Sequence, residues 1–308
     1  MVSSMSVCII IPTCNRFNEL QKTLSALGQQ TVMPDRTIVI DDGSPQDVLL
    51  RIQNLIASSR PPIELIKCSP KKGPSAARNT GIKHAREEYI LFINDDTIPC
   101  GTTFLEQHLA FAASHPNCGI LGRLQWSPET PNQLLFGRWT RRLSFDVGYE
   151  HMQKADNLEY HKFCTANVMV PRRFLKDCLF DEGFPFAAYE DIELGFRLFQ
   201  AGMNLRYNPD ACVYHYHHYT PEKVIDRQIK AGCALAHLLR IHPELTAWHR
   251  PKISPLGSCL LSLFVKSPLI RFCSQDLQLF LRQLAGKYEA FWAAFRSELK
   301  SCHKKTST

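Results

Sequence analysis

Short apolar runs alternate with amphipathic stretches over residues 1–93. Runs of β-branched and other apolar residues predict four buried strands, at 7–11, 37–40, 63–66 and 89–93. Leucines at helical spacing follow the first run, residues 48–56 show the same period, and a further helix is expected before the fourth run. Strands separated by single helices predict an α/β fold whose Rossmann-like, mostly parallel sheet has right-handed crossovers.

The pattern changes in the second half of the chain. Residues 127–160 are aromatic and basic, which predicts an insertion or a flexible loop. Beyond them the pattern predicts strands at 163–170 and 205–214 and helices at 192–200, 221–241 and 275–300. We therefore expect an α/β domain over residues 1–220 and a C-terminal helical extension over residues 221–308.

The composition is that of a folded protein in a reducing compartment. Of the 308 residues, 44% are hydrophobic and 21% are charged, which is ordinary for a globular chain. The 12 cysteines are scattered without a C-x-x-C pair, so we expect free thiols rather than disulfides. The first residues lack the charged and apolar regions of a signal peptide, and a cytoplasmic location is therefore predicted.

The positive charge is concentrated at the C-terminal end. The formal net charge is +7, and residues 251–308 contain 9 Lys or Arg against 3 Asp or Glu. The rest of the chain is nearly neutral, which argues against a nucleic-acid partner. A basic tail favours an anionic surface, so peripheral contact with the inner face of the membrane is a hypothesis.

Polar residues follow three of the four predicted strands. Pro12 and Thr13 follow the first, Asp41 and Asp42 the second, and the triplet 94–96 the fourth. Carboxyl ends of parallel strands meet at one edge, where ligands of such sheets bind, so the set favours a binding site over three independent turns or helix caps. The glycine-rich signatures of dinucleotide-binding folds and P-loop enzymes are absent, and neither class is supported.

Five motifs carry a family resemblance. They are, in order, Cys8-Ile9-Ile10-Ile11-Pro12-Thr13-Cys14-Asn15-Arg16, Val39-Ile40-Asp41-Asp42-Gly43-Ser44, Gly73-Pro74-Ser75-Ala76-Ala77-Arg78-Asn79-Thr80-Gly81, Leu91-Phe92-Ile93-Asn94-Asp95-Asp96 and Tyr189-Glu190-Asp191. Each motif is weak alone, but together, at this spacing, they resemble the family-two glycosyltransferases of the GT-A fold over about residues 5–220. The segment past residue 220 resembles no family that we can name.

The resemblance implies an activity and a cofactor. It predicts inverting transfer of a hexosyl or deoxyhexosyl group from a nucleotide-diphosphate sugar, with a UDP- or dTDP-sugar favoured, to a hydroxyl of a glycan or lipid-linked glycan in polysaccharide biosynthesis. The diphosphate leaving group needs a Lewis acid, so Mn²⁺ or Mg²⁺ is expected. In the family the last residue of the acidic triplet binds the metal, which here is Asp96. Asn94 stands where the family usually has a ribose-binding Asp, and Asp95 is expected beside the ribose or diphosphate.

The remaining donor residues follow from the same resemblance. Asp42 corresponds to the carboxylate that accepts the N3–H of uracil or thymine, and Pro12, Thr13 and Asn15 are expected in the nucleoside pocket. Lys72 and Arg78 would either steady the diphosphate or belong to a solvated basic loop.

Asp191 corresponds to the catalytic base of the family. Inverting transfer is a single displacement in which one carboxylate removes the acceptor proton, and a helix N-terminus favours the ionised form. A helix cap formed by Glu190 and Asp191 is the alternative. His215 corresponds to a metal ligand of some members, and a purely structural histidine is the alternative; His217 shares its predicted strand face. Trp126, Tyr189 and Glu190 are expected on the acceptor side.

The C-terminal segment allows two interpretations. Residues 256–270 are apolar but interrupted by Lys266 and Pro268, too short to span a bilayer. They would pack on the catalytic domain, or lie in a membrane interface with Lys252, Lys266 and Arg271 at the headgroups. An aromatic stripe between Phe280 and Phe295 favours core packing or a homo-oligomer contact over a lipid anchor.

Two other functions remain open at this point. A sugar nucleotidyltransferase also uses an α/β sheet, acidic residues and metal, but it would usually carry a glycine-rich basic loop after the first strand. A non-catalytic nucleotide-sugar-binding module would keep the fold, and Asn94 is its only support.

Overall fold

In the computed structural model, the structure describes residues 5–57, 59, 62–129, 149–216, 220–249 and 252–305. Within these ranges nine strands form one sheet. The strands are β1 (Val7–Thr13), β2 (Arg36–Asp42), β3 (Ile63–Cys68), β4 (Tyr89–Ile93), β5 (Thr97–Pro99), β6 (Cys118–Trp126), β7 (Asn157–Leu158), β8 (Asn167–Pro171) and β9 (Asn204–His215). The helices are α1 (Phe17–Leu27), α2 (Gln46–Ala57), α3 (Pro74–His84), α4 (Phe104–Ser114), α5 (Glu190–Gln200), α6 (Pro221–Ile241), α7 (Thr246–His249), α8 (Pro255–Lys266) and α9 (Gln275–Lys305).

The first half of the sheet is parallel. The strand order is β3-β2-β1-β4-β8-β6-β9-β5, and the pairs among β3, β2, β1 and β4 are all parallel. We call these four strands the parallel half. The residues of β1 and β4 are almost entirely buried, as the unbroken apolar runs predict for strands covered on both faces. The helix α1 buries Leu20, Leu24 and Leu27, the leucines at helical spacing.

The second half of the sheet, made of β8, β6, β9 and β5, is mixed, and we call it the mixed half. The strand β8 runs antiparallel to β4 and to β6, whereas β6 and β9 are parallel to each other. The short strands β5 and β7 both pair antiparallel with β9. The α/β fold with a helix-flanked, mostly parallel central sheet is confirmed, and the antiparallel pairings begin where β8 joins β4.

Several element boundaries differ from the sequence analysis. Residues 97–126 had no predicted element and contain β5, α4 and β6. The predicted strand at 163–170 begins only at Asn167, because the chain turns before it through hydrogen bonds from Phe163 N to Tyr160 O and from Asn167 N to Cys164 O. The loop predicted at 127–160 ends in the sheet, since β7 pairs with β9. Residues 130–148, which include Trp139 and Arg141, lie outside the described residues.

A buried amide group fixes the register of the mixed half. The β6–β9 pairing shifts between Gly122 and Arg123, and Asn167 Nδ2 donates there to Arg123 O (3.1 Å) and Ala211 O (2.8 Å). The Oδ1 of the same side chain lies 2.9 Å from His108 Nε2. A Cβ on Gly122 would lie 2.2 Å from Asn167 Nδ2, so this close approach requires glycine.

The described chain divides into two compact units. The first contains the sheet and α1 to α4, and it takes residues 191–216. The second contains residues 183–190 and the C-terminal helices, in which α6 and α8 both pack on α9. Tyr288 and Phe291 of the aromatic stripe are buried there, so they belong to the core of this unit. Among the described helices none combines the length and the apolar character that a membrane crossing needs.

Candidate active site

The ends of β1, β2 and β4 lie at one edge of the sheet. The three strands are parallel neighbours, so Thr13, Asp42 and the residues after Ile93 leave the sheet in the same direction. Thr13, Asp42, Asp95 and Asp96 are all buried. The expected convergence of polar residues at this edge is therefore present, and Thr13 and Asp95 are joined there by a hydrogen bond.

Asp95 is held by two residues from the first motif. Thr13 Oγ1 donates to Asp95 Oδ2 (2.8 Å), and Arg16 Nε lies 3.6 Å from Asp95 Oδ1. Burial raises the pKa of Asp95 to about 7 against the lowering effect of Arg16, and the neighbouring Asp96 carboxylate adds to the rise. A bound cation would stabilise the ionised form of this carboxyl group.

Asp96 joins the two halves of the sheet. Its Oδ2 accepts from Arg16 Nη2 (2.7 Å) and lies 3.2 Å from His215 Nε2. The strand β5, which directly follows the triplet, pairs with β9 so that Thr97 lies opposite His215. The Trp126 ring lies 4.9 Å from the His215 ring, because β6 ends beside β9. His215 is thus next to the acidic triplet, while His217 lies outside the described residues.

The donor set at Asp96 suits a metal shared with a substrate. A carboxylate oxygen and an imidazole nitrogen are ligands that Mn²⁺ accepts. In the part of the chain that the structure describes, no group of three or more His, Cys, Asp or Glu could hold a metal by itself. Mg²⁺-type sites in nucleotide enzymes characteristically combine one or two protein ligands with phosphate oxygens. The residues present fit a metal ion of that kind, for which Asp96 and His215 would be the protein ligands.

Asp42 holds the loop that precedes α3. Its two carboxylate oxygens accept the backbone N–H groups of Lys72 and Gly73, each at 2.8 Å. The turn after β2 depends on Gly43, whose φ of 82° is costly for other residues. A carboxylate oxygen has two lone pairs, so these bonds leave Asp42 able to accept a further donor. The Lys72 side chain is exposed.

Arg78 lies at the centre of the site rather than on a solvated loop. It is a buried residue of α3, and its Nη2 donates to Asn94 Oδ1 (3.1 Å). Its positive charge also acts on Asp191, whose pKa it lowers. Of the two alternatives for Arg78, the solvated basic loop does not agree with the structure, because the residue is buried in α3 and contacts Asn94.

Asp191 is the second residue of α5, and its Oδ1 accepts the N–H of Ile192 at 2.9 Å. Burial raises the pKa of Asp191 above its ordinary value, although Arg78 and the backbone N–H groups of Ile192 and Thr165 oppose the rise. A raised pKa makes the carboxylate a stronger base than an exposed aspartate. Burial thus raises the pKa of Asp191 more than the backbone N–H groups at the helix N-terminus lower it.

The other expected site residues are placed as follows. Pro12 belongs to β1, opposite Ile40 of β2, so the strand continues through it to Thr13. Asn15 has a φ of 55°, and its N–H donates to Ser44 Oγ (2.7 Å). Tyr189 and Glu190 are assigned to the second unit, where the Tyr189 hydroxyl accepts from Lys287 Nζ (3.1 Å). Glu190 is buried.

Arg16 is a residue of the candidate site to which the sequence analysis assigned no role. It appears in the first motif, directly after Asn15, but no role followed from its position in the sequence. In the structure it contacts both Asp95 and Asp96, and those carboxylates raise its pKa although burial opposes them. One sequence signal could have identified Arg16. It is a basic residue shortly after the end of β1, and the acidic triplet follows the neighbouring strand β4 at the same edge of the sheet.

A helix-flanked sheet with carboxylates beyond its parallel strands is consistent with the GT-A class of glycosyltransferases, which also binds ligands at this edge. Residues 8–179 match the family model described as Glycosyl transferase family 2, which is more than half of the chain. The chain belongs to this family.

Relatives and solved structures agree with this assignment. The chain is 28% identical over 247 residues to the pre-mycofactocin glycosyltransferase of Mycobacterium tuberculosis, a match covering 80% of this chain and 50% of that protein. It thus spans half the length of that relative. It is similar in fold to a mannosyltransferase from Pyrobaculum calidifontis in complex with GDP-Man and Mn²⁺ (TM-score 0.60, 14% identity, 94% of this chain and 89% of that one). It is also similar in fold to S. aureus TarS 1-349 in complex with UDP-GlcNAc (TM-score 0.57, 15% identity, covering 96% of this chain and 92% of that one).

Proposed function

We propose that the chain is an inverting glycosyltransferase that moves a hexosyl or deoxyhexosyl group from a UDP- or dTDP-sugar to a hydroxyl of a glycan or lipid-linked glycan. The observation that carries the proposal is the link through Arg78. This buried cation donates to Asn94 of the acidic triplet and acts electrostatically on Asp191. The positive charge of Arg78 therefore acts on both Asn94, the proposed donor-binding residue, and Asp191, the proposed base. Asn94 lies at the strand ends, where such sheets bind ligands.

The donor would occupy the edge formed by β1, β2 and β4. Asp42 would accept a base N–H beside Pro12, Thr13 and Asn15, while Asn94 and Asp95 would lie near the ribose and diphosphate. The buried guanidinium of Arg78 would face the diphosphate charge. The exposed Lys72 side chain would contribute from the loop that Asp42 holds in place.

A divalent metal, Mn²⁺ or Mg²⁺, would be held by Asp96 and His215 and would neutralise charge on the leaving diphosphate. Arg16 would neutralise the two carboxylates when the metal is absent, since it already contacts both of them. The similar mannosyltransferase complex contains Mn²⁺, which supports a divalent cation here.

Asp191 would remove the proton from the acceptor hydroxyl as that oxygen attacks the anomeric carbon. The acceptor oxygen gains the bond to the sugar, the nucleoside diphosphate leaves, and the proton passes to an Asp191 carboxylate oxygen. Because the base must be ionised, transfer should fail as the pH falls through the raised pKa of Asp191.

The test separates binding from turnover. Thermal shifts would be measured with UDP, dTDP and GDP, each with and without Mn²⁺, followed by a transfer assay with the best nucleotide sugar. We expect Asp191→Asn to lose about 10³-fold in kcat while it retains the donor-induced shift. Asp177→Asn changes an exposed carboxylate of the same type and should leave both measurements unchanged. Full activity of Asp191→Asn would exclude it as the base.

The contact of Arg16 with Asp96 favours one second candidate, a nucleotide-sugar-binding module without turnover. In such a module Arg16 would permanently replace the metal. Stabilisation by a nucleotide sugar that is independent of Mn²⁺, with no transfer to any acceptor, would support this candidate.

A further inference from the structure

The helix α8 is packed with its polar face inward. Ser258 and Ser262 are 3% and 6% exposed, and Ser262 Oγ donates to Glu289 Oε2 on α9 (3.0 Å). Three of the four leucines of the same helix are exposed: Leu256, Leu260 and Leu263, at 70%, 58% and 62%. An ordinary surface helix buries its apolar stripe. In α8 these three leucines face outward beside the buried serines, while Leu261, Phe264 and Val265 are half-buried.

The apolar face continues past the end of the helix. A short 3₁₀ helix, Pro268–Phe272, follows α8 and exposes Leu269 and Phe272 at 58% and 77%. We call Leu256, Leu260, Leu263, Leu269 and Phe272 the leucine face. The helical spacing of its first three members places them on one side of α8. Clustered exposure of this kind marks an interaction surface, whereas single exposed leucines are common.

The charged residues of the segment that carries the leucine face are all positive. Residues 252–275 contain Lys252, Lys266 and Arg271 and no Asp or Glu. All three basic side chains are exposed, and the Arg271 guanidinium lies 5.3 Å from the centre of the Phe272 ring. A second copy of the same face would bring cations against cations. An anionic lipid surface would pair with the cations and receive the apolar side chains.

The dimensions of α8 agree with a helix that lies in the plane of a membrane. Its 12 residues span about 18 Å, well short of the roughly 30 Å of a hydrocarbon core. We propose that residues 252–272 form a docking surface for an anionic lipid bilayer, with the leucine face in the acyl boundary and the three cations at the headgroups. This inference does not depend on the transferase activity, and it can fail or hold separately.

The test uses the full chain and vesicle flotation. Vesicles of phosphatidylcholine alone would be compared with vesicles containing about 30% phosphatidylserine, at low salt and at high salt. We expect binding to the anionic vesicles that weakens at high salt, and little binding to the neutral ones. Absence of the wild-type protein from floated anionic vesicles at low salt would overturn the proposal.

Two variants and one control separate the contributions. Leu260→Ser with Leu263→Ser should weaken binding to anionic vesicles at least about 10-fold, since apolar burial drives insertion. Lys266→Glu with Arg271→Glu should remove the preference for anionic lipid. Leu50→Ser changes a leucine of α2 that is 50% exposed and should bind as the wild type does. Circular dichroism and thermal unfolding of each variant would verify that its fold is retained.

Sedimentation velocity of the free protein provides the opposing outcome. A stable dimer that dissociates in the Leu260→Ser, Leu263→Ser variant, without vesicle binding by the wild type, would assign the leucine face to self-association and overturn the lipid proposal.

Discussion

The two halves of the sheet use buried polar groups in opposite ways. In the parallel half they lie at or just beyond the strand ends, where Thr13, the last residue of β1, pairs with Asp95 at the proposed donor site. In the mixed half, Asn167 of β8 lies inside the sheet and donates to carbonyl groups of β6 and β9, and His108 of the helix α4 contacts its Oδ1. Polar groups beyond strand ends are available to a ligand. Those within the sheet satisfy backbone groups that a register shift would otherwise leave unpaired.

This comparison predicts separable effects. Changes at the parallel edge should lower turnover with little effect on stability, whereas changes within the mixed half should lower stability with little effect on the activity of the molecules that remain folded. The following predictions test this separation, from the largest expected effect to the smallest.

Asp96→Asn should lower kcat/KM by about 10³-fold, which is about 4 kcal/mol. The change removes the charge that both Arg16 and His215 contact. Steady-state assays across a range of Mn²⁺ concentrations would measure the loss, and Asp47→Asn, at an exposed position of α2, is the matched control. An unchanged kcat/KM would remove Asp96 from the donor site.

Gly122→Ala should lower the free energy of unfolding by about 3 kcal/mol. The added Cβ would lie 2.2 Å from Asn167 Nδ2 and 2.4 Å from Ala211 O, so the amide network would have to move. Urea denaturation would measure the change. Gly101→Ala is the control, because a Cβ there meets nothing within 4 Å. Equal stability of the two variants would contradict the assignment of the network as a structural element.

Stability should fall by about 2 kcal/mol between pH 7 and pH 5 because of His108. Burial lowers the pKa of His108 from 6.5 to about 4, although its bond to Asn167 opposes the shift. Between these two values the unfolded chain binds the proton and the folded chain does not. The contribution of the neutral His108 to stability is therefore fully present above the unfolded-state pKa of 6.5. It is lost as the pH falls toward the folded-state pKa of about 4. Denaturation of the wild type and of His108→Gln at both pH values would isolate this contribution, which the variant should lack.

Thr13→Val should lower kcat/KM by roughly 5- to 10-fold, about 1 kcal/mol, because Asp95 loses one hydrogen bond of 2.8 Å. Thr13→Ser keeps the hydroxyl group and should recover most of the activity. Both variants should unfold close to the wild-type temperature, which differential scanning fluorimetry would measure. A large fall in melting temperature for Thr13→Val would contradict the prediction that changes at the parallel edge have little effect on stability.

The parallel half could be predicted closely because its signals are local. Each strand is an unbroken apolar run, and its polar residues follow directly in the sequence, as Asp42 follows β2. The rule that parallel strands bring their carboxyl ends to one edge then converts sequence position into proximity. The class of fold and the edge that carries the candidate site could be inferred in this way, and the family from the resemblance of the five motifs.

The mixed half resisted prediction because its pairings join residues far apart in the chain. Asn167 appeared as one polar residue in an apolar run, and its partners Arg123 and Ala211 lie 44 positions away on either side. The short strand β5 carries no apolar run and forms only because β9 lies beside it. The local sequence does not indicate such contacts, because they depend on which strands become neighbours in the sheet.

By itself the sequence determined the alternation of strands and helices, the set of polar residues at the strand ends and the family to which the chain belongs. Only the tertiary structure decided that Arg16 contacts both Asp95 and Asp96, that the buried Arg78 donates to Asn94, and that α8 exposes three of its leucines. The physical reason is the range of the interactions. Periodicity and turn chemistry act over a few residues, whereas ion pairs and burial depend on chain segments that only the folded protein brings together.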